Sequence, residues 1–271
     1  MSDFKKKGTV KNGFKTLVNA IEQLSGQHFD FDSVDNSDLD IREIRRREAI
    51  EASKEIAQRR SENHRNFINS VYESHRVNPE YTFDRIQKDQ FNNQAVITAQ
   101  GFCASSSLAD QLDSDPQLFL LQGNPGTGKT VLSNCIANYF LNKLWKDVEI
   151  CSYQEIKRCR TPSSTDTTVD VEEKSTKWER LSTVDLLIID SLCQNNEKIT
   201  PYDKQVIPDL LRTRRARGLP LVITTTVVPN SLHGMLGDEI FESLKEYNVM
   251  GAALFGNSRR SPISFAGANL I

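Results

Sequence analysis

No stretch of this 271-residue chain approaches the roughly 20 consecutive apolar residues needed to cross a bilayer, and Lys5, Lys6 and Lys7 are followed by no apolar h-region. Neither membrane insertion nor secretion is expected. The five cysteines (Cys103, Cys135, Cys151, Cys159, Cys193) are odd in number, scattered and never spaced as CxxC. That pattern argues against a disulfide framework and against a zinc site, and it fits a reducing, cytoplasmic setting. His28, His64, His75 and His233 are too dispersed to form a metal site, and His64 and His75 read as surface residues. No Ser-His-Asp or Cys-His grouping suggests a catalytic triad, and there is no internal repeat. A formal net charge of -2 offers no global attraction for nucleic acid, so any DNA contact would fall to local Lys and Arg clusters.

What is present is enough to fold. Apolar residues make up 38% and charged residues 26%, a balance that buries a core without resembling a disordered chain. The length suits one ordinary domain plus an appendage.

The first 80 residues read as helical. Phe14, Leu17, Val18, Ile21 and Leu24 recur at the spacing of a short amphipathic helix. An acidic interval with Asp30, Asp32, Asp35, Asp38 and Asp40 follows, with Ser37 or Asp38 placed to cap the next helix. That helix is long: Ile44, Ala49, Ala52 and Ile56 keep a narrow apolar stripe, Phe67 and Val71 resume it, and Pro79 ends it. Its arginines (Arg42, Arg45, Arg46, Arg47, Arg59, Arg60, Arg65) are offset by Glu43, Glu48, Glu51, Glu55 and Glu62, the mixing of a solvated face. The stripe serves either to pack on the main domain or to bind a partner.

After Tyr81, short apolar runs at residues 118–121, 148–151, 185–190, 219–226 and 251–255 alternate with helical patterns. Such alternation predicts an α/β domain over residues 81–271, a parallel five-stranded sheet between helices, preceded by the helical region 1–80. The interval 161–176, TPSSTDTTVDVEEKST, is polar and short of apolar anchors, and is expected to be an exposed loop.

The chemistry lies in LFLLQGNPGTGKTVLSNCIANYF, an apolar strand, then Gly-x-x-x-x-Gly-Lys-Thr, then a helix with Val131, Leu132, Cys135, Ile136 and Tyr139 on one side. Gly123, Gly126 and Gly128 allow the turn that aims successive N–H groups at phosphate oxygens, and the helix N-terminus adds partial positive charge. The whole loop, Gly123, Asn124, Pro125, Gly126, Thr127, Gly128, Lys129 and Thr130, with Val131 behind it, is therefore expected to bind ATP. Lys129 reaches the β- and γ-phosphates and Thr130 ligates Mg2+. A second strand must end in a carboxylate beside Thr130, because the metal needs a hard anionic ligand, and VDLLIID supplies Asp190.

GNPGTGKT, the strand VDLLIID, and a later strand LVITTT together resemble the DnaC-type helicase loaders and the related IstB-type transposition ATPases, which are AAA+ proteins. YTFDRIQKDQFNNQAVITAQGF resembles the approach to the glycine loop in DnaC-like proteins, so the similarity runs from about Tyr81 onward. The resemblance implies that Thr225 takes the place of sensor I, facing the γ-phosphate, and that Arg259 or Arg260 in GNSRRSP takes that of the sensor II arginine. It implies a hexameric replicative helicase of the DnaB type as partner, gripped by the helical N-terminus, self-association through the AAA+ domain, and an assembly and release switch run by Mg-ATP. Single-stranded DNA is a further candidate partner.

Two departures bear on turnover. Where the family carries a water-activating Glu after the metal-binding Asp, this chain has Ser191, and a serine hydroxyl is no general base near neutral pH. Where the family carries its arginine finger, GDEIFESLKE places Glu239 and Ser243. Slow hydrolysis is expected. Two rival readings remain, an IstB-like ATPase on duplex DNA and a non-hydrolysing, ATP-bound adaptor or inhibitor of a helicase. Arg212, Arg214, Arg215 and Arg217, at the end of a predicted helix, either cap that helix or contact a neighbouring subunit or single-stranded DNA.

Overall fold

A computed structural model describes residues 41–74, 76–109, 115–160, 166–193 and 200–260. The helix expected around Phe14 to Leu24, the acidic interval with Ser37 and Asp38, His28, His75 and residues 161–165 lie outside them.

All five apolar runs are strands: β1 (Gln117–Gly123), β2 (Val148–Ser152), β3 (Leu186–Leu192), β4 (Leu221–Thr225) and β5 (Asn248–Leu254). They pair in parallel throughout, in the order β2-β3-β4-β1-β5. A strand buried on both faces feeds two cores with alternate residues, which is why these runs read as continuous apolar sequence. Leu118, Leu187, Leu221 and Ile223 enter one core. Phe119, Leu121, Ile188 and Val222 enter the other.

On the second face lie α2 (Asn93–Ala109) and α3 (Lys129–Tyr139), the latter prolonged by a π-helical turn (Phe140–Leu144). They contribute Val96, Phe102, Leu132 and Ile136. The first face is covered by α4 (Tyr153–Arg160), α5 (Thr168–Thr183), α6 (Asp203–Ala216), α7 (Pro229–Leu236) and α8 (Asp238–Lys245), through Ile156, Leu181, Leu210, Leu232 and Ile240.

The chain divides into two compact units, Met1–Ser61 and Glu62–Ile271. The dividing point lies within α1 (Ile41–Glu73), the long helix expected from the sequence, which stops ahead of Pro79. In the first unit, Glu43–Arg47 at 2.5 Å and Glu55–Arg59 at 2.8 Å form i,i+4 pairs, and Ile44, Ile50 and Ile56 are exposed. From Glu62 onward the chain belongs to the sheet unit. Ile68, Val71 and Val77 enter the second core. Asn134 Oδ1 accepts the Asn78 N–H at 2.9 Å, Asn138 Nδ2 donates to the carbonyls of Asn78 and Tyr81 at 2.8 Å each, and the Tyr72 hydroxyl donates to Asn138 Oδ1 at 2.8 Å. These asparagines on α3 tie residues 72–81 down, so the division falls upstream of residue 80. His64, expected at the surface, is half-buried: its ring stacks on Trp145 with centroids 4.2 Å apart and its Nε2 lies 2.8 Å from the Leu141 carbonyl oxygen.

The loop expected over 161–176 is corrected from Thr168 onward, where α5 begins. Thr167 and Asp170 form a reciprocal capping box at its N-terminus. The anchors are charges rather than apolar side chains. Lys177 and Arg180 both pair with Glu149, which is fully buried on β2, and Arg180 also reaches Asp147 at 2.9 Å. Arg76 joins from the other side at 3.0 Å.

The arginine cluster at the end of α6 divides, with Arg212, Arg215 and Arg217 exposed and Arg214 turned inward. Arg214 is fully buried and donates to the carbonyls of Leu181 and Val184 at 2.9 Å and of Pro220 at 2.8 Å. Burial lowers its pKa to about 10. Arg215 donates to the Glu246 carbonyl at 3.0 Å, and Arg212 lies 3.9 Å from Glu239. Arg214 thus stitches three carbonyl ends together and is not available to DNA or to a second subunit.

Candidate nucleotide-binding site

In an open parallel sheet, ligands bind beyond the carboxyl ends of the strands. Here β4 lies between β1 and β3. The loop leaving β1 at Gly123 and the end of β3 at Asp190 therefore meet above the end of β4.

The loop is tightly self-bonded. Thr127 donates through its hydroxyl to the Asn124 carbonyl at 2.8 Å and is almost fully buried, so it holds the loop's shape. A Cβ on Gly123 would lie 2.8 Å from Thr127 Oγ1 and 2.9 Å from the Leu254 carbonyl oxygen, a space only glycine fits. Gly128, the residue before α3, has φ 104, in the left-handed region that favours glycine, and turns the chain into the helix. Asn124, Pro125 and Thr130 are exposed, Gly126 and Val131 half-buried. The Lys129 ammonium donates to the carbonyls of Gly123 and Asn124 at 2.8 and 3.0 Å. Burial lowers its pKa, against the pull of Asp190 and with a further push from Arg260.

The Thr130 hydroxyl donates to Asp190 Oδ2 at 3.2 Å. The other carboxylate oxygen, Oδ1, accepts from Thr224 at 2.6 Å, and the Thr224 hydroxyl in turn accepts the Ser191 N–H at 2.8 Å. Thr225, expected to face the γ-phosphate, is fully buried and turned the other way, donating to the Leu192 carbonyl at 2.9 Å and accepting the Val227 N–H at 3.1 Å. Strand alternation is the reason: Ile189 pairs with Ile223, so the next residue of β4 accompanies Asp190 and the one after faces the opposite core. Ser191 has φ 69, a left-handed conformation inside a register shift of β3.

Arg259 lies beside the loop. Its N–H donates to the Gly126 carbonyl at 2.9 Å and its guanidinium pairs with Asp89 at 2.7 Å. It lines a cavity of about 250 Å³ together with Tyr81, Thr82, Ile86, Thr127 and Gly128. The finger positions behave differently. Ser243 is buried, its hydroxyl donating to the Glu239 carbonyl at 2.9 Å, so it presents nothing outward.

A glycine loop with two lysine-bonded carbonyls, a hydroxyl and a carboxylate at one strand end is suited to a polyphosphate with a hard divalent cation. Over 155 residues the chain is 24% identical to the replicative helicase loader DnaC of Escherichia coli K12, covering 57% of this chain and 61% of that protein. Over 169 residues it is 23% identical to the replicative helicase loader DnaC of Buchnera aphidicola (subsp. Acyrthosiphon pisum), covering 62% and 65%. In sequence, then, the chain is similar to DnaC helicase loaders. The matches span about three fifths of the length of these relatives. No family model matches it.

Solved structures agree on the fold. A crystal structure of the DnaC helicase loader superposes with a TM-score of 0.51 at 18% identity, covering 65% of this chain and 98% of that one. The crystal structure of DnaI gives 0.50 at 21%, covering 66% and 90%. The five-stranded parallel sheet domain of this chain thus shares its fold with those two structures. Among the described residues no helix is long and apolar enough to cross a membrane.

Thr224 and Asp89 escaped the sequence reading. Thr224 sits in a run of three threonines, and only the pairing of β3 with β4 separates them. Asp89 lies far along the chain from Arg259, and nothing local marks it.

Proposed function

We propose that the DnaC-like chain is an ATP-controlled loader of a hexameric replicative helicase. The sheet unit, residues 62–271, forms its ATP-binding domain, and the helical region upstream of it grips the helicase. The observation that carries the ATP site is the meeting of Thr130 with Asp190 at the exit of the glycine loop. In this reading the loop N–H groups and Lys129 bind the phosphates, while Thr130 and Asp190 hold Mg2+, which neutralises phosphate charge. Lys129 would leave the carbonyls of Gly123 and Asn124 for the phosphate oxygens. Thr224 fixes the Asp190 carboxylate, and Arg259 contributes positive charge at the sensor II position. Similarity to helicase loaders supports the partner, and the exposed isoleucines of α1 support a gripping role for the N-terminal region.

Hydrolysis is expected to be slow, with ATP acting as an assembly and release switch. Ser191 supports this, since neither its hydroxyl nor its left-handed backbone provides a base for water. The same observation favours a second reading, a non-hydrolysing adaptor that keeps ATP as a structural ligand.

Co-purification with a DnaB-type helicase in ATP, ADP and no nucleotide, with phosphate release measured on the same samples, tests both. Nucleotide-dependent capture with slow release supports the loader. Nucleotide-independent capture without release supports the adaptor. Failure to bind any helicase, with tight salt-dependent binding of duplex DNA instead, would overturn both in favour of a transposition ATPase.

A further inference from the structure

Beyond β5 the chain folds back across the glycine loop. The Phe255 N–H donates to the Phe91 carbonyl at 3.2 Å, and Gly256, at φ 88, lies so close to Phe91 that a Cβ would sit 3.2 Å from its ring. The Ser258 side chain occupies the space over Gly126, where a Cβ would come within 2.2 Å of its hydroxyl oxygen. With the bond from Arg259 N–H to Gly126, residues 255–260 form a strap joining the loop to the turn before α2.

The strap's charged end is Arg259. Its Cδ passes Gly128, where an added Cβ would lie 3.8 Å away, yet its guanidinium is turned to Asp89. Asp89 does two things at once. Oδ1 accepts the N–H groups of Phe91 at 2.9 Å and Asn92 at 3.0 Å, and Oδ2 takes Arg259. Desolvation opposes its ionisation, but the Phe91 N–H and Arg259 hold its carboxyl below the usual range. The ion pair is about one-third to two-fifths exposed on either side, 35% for Arg259 and 43% for Asp89. A pair this open to water is weak, whereas a guanidinium bonded to phosphate is among the stronger charge-assisted contacts.

We propose that Asp89 is a positioning residue that competes with nucleotide phosphate for the Arg259 guanidinium. Binding of a nucleoside triphosphate draws Arg259 off Asp89 and removes the ion pair through which the strap's charged end holds the turn at residues 89–92. The inference rests on the reading of the glycine loop as an ATP site. It assigns Asp89 a role opposite to that of a ligand-binding residue, because its charge works against ATP.

The test is a double-variant cycle on ATP affinity by calorimetry. Asp89→Asn keeps an oxygen for the Phe91 and Asn92 N–H groups, since asparagine caps as well as aspartate, and removes only the charge. Asp89→Ser, which also keeps an acceptor, is the second variant if the first folds poorly. Asp89→Asn is expected to tighten ATP binding about two- to five-fold, the range of an exposed pair. Arg259→Gln should weaken it about ten-fold or more, and in that background Asp89→Asn should change nothing. Hydrogen exchange at residues 89–92 should rise on adding ATP to the wild-type chain and be high without ATP in Arg259→Gln. Weaker or unchanged ATP binding in Asp89→Asn, or additive effects in the double variant, overturns the proposal. Lys129→Ala separates the two levels. If it leaves ATP binding intact, the ATP-site reading falls and this inference with it. If it abolishes binding while Asp89→Asn fails to tighten it, only the inference falls.

Discussion

Asp190 is held by a hydroxyl on each oxygen, Thr130 from the loop and Thr224 from β4. The two threonines of β4 then predict different phenotypes. Thr224→Val removes the bond that orients the carboxylate and leaves the Ser191 N–H without its acceptor, so it is expected to weaken Mg-ATP binding about ten-fold, the loss of one hydrogen bond to a charged group, and to cost about 1–3 kcal/mol of folding free energy as well. Thr225→Val leaves the site alone but strips the Leu192 carbonyl and the Val227 N–H of a buried partner, so it should cost about 1–3 kcal/mol of folding free energy with ATP affinity unchanged. Calorimetric titration separates the two, since only Thr224→Val should lose ATP affinity, and a loss confined to Thr225→Val would place the sensor on Thr225. The loop residues were legible in the sequence because they form one contiguous motif, in which Thr127 and Lys129 bond to backbone carbonyls within six residues. Thr224 was not, because its role depends on which strand lies beside it.

At the scale of elements, α5 is the instructive case. It is short of apolar anchors, yet its buried end packs with Leu181 while Lys177 and Arg180 clamp Glu149. Glu149 is fully buried while Arg76, Lys177 and Arg180 keep 44%, 29% and 32% of their side-chain exposure. Glu149→Gln should therefore cost about 3 kcal/mol, the low end for breaking a buried pair, since the cations left behind retain some water. The pH dependence has a definite sign. Burial alone would raise the Glu149 pKa, but Lys177 and Arg180 bring it below 4.5. The stabilisation is present above about pH 4.5 and disappears as pH falls through the lower folded value. Chemical unfolding between about pH 5 and 3 should thus be less pH-dependent in Glu149→Gln than in wild type. An equal slope in both would mean that the cluster does not hold the carboxylate ionised. Hydrophobic periodicity carried the strands and the end of α1 in the sequence, because the strand residues and Ile68 and Val71 are held by apolar burial. It missed α5, whose charged partners, Glu149 on β2 and Asp147 just before it, are distant in the chain.

For the whole molecule, ligand binding and stability are linked. If the sheet unit binds ATP only when folded, ATP with Mg2+ at about 100 times Kd should add ~2.7 kcal/mol. At roughly 2–4 °C of Tm per kcal/mol for a domain of this size, the shift is about 5–10 °C. Scanning calorimetry with and without ATP, repeated on Lys129→Ala, measures it; a shift that survives in Lys129→Ala would place the nucleotide elsewhere. The same shift with no phosphate release favours a structural ligand over a switch. Local sequence was sufficient for the α/β class, the five strands, the glycine loop and Asp190, because continuous apolar runs and a backbone motif express themselves within a few residues. Tertiary structure alone decided that Thr224 rather than Thr225 meets Asp190, that Arg214 is an internal clamp, that residues 62–80 join the sheet unit, and that Arg259 is held by Asp89. Each of these depends on strand order, register or a pairing across distant segments, and such information appears only once the chain has folded back on itself.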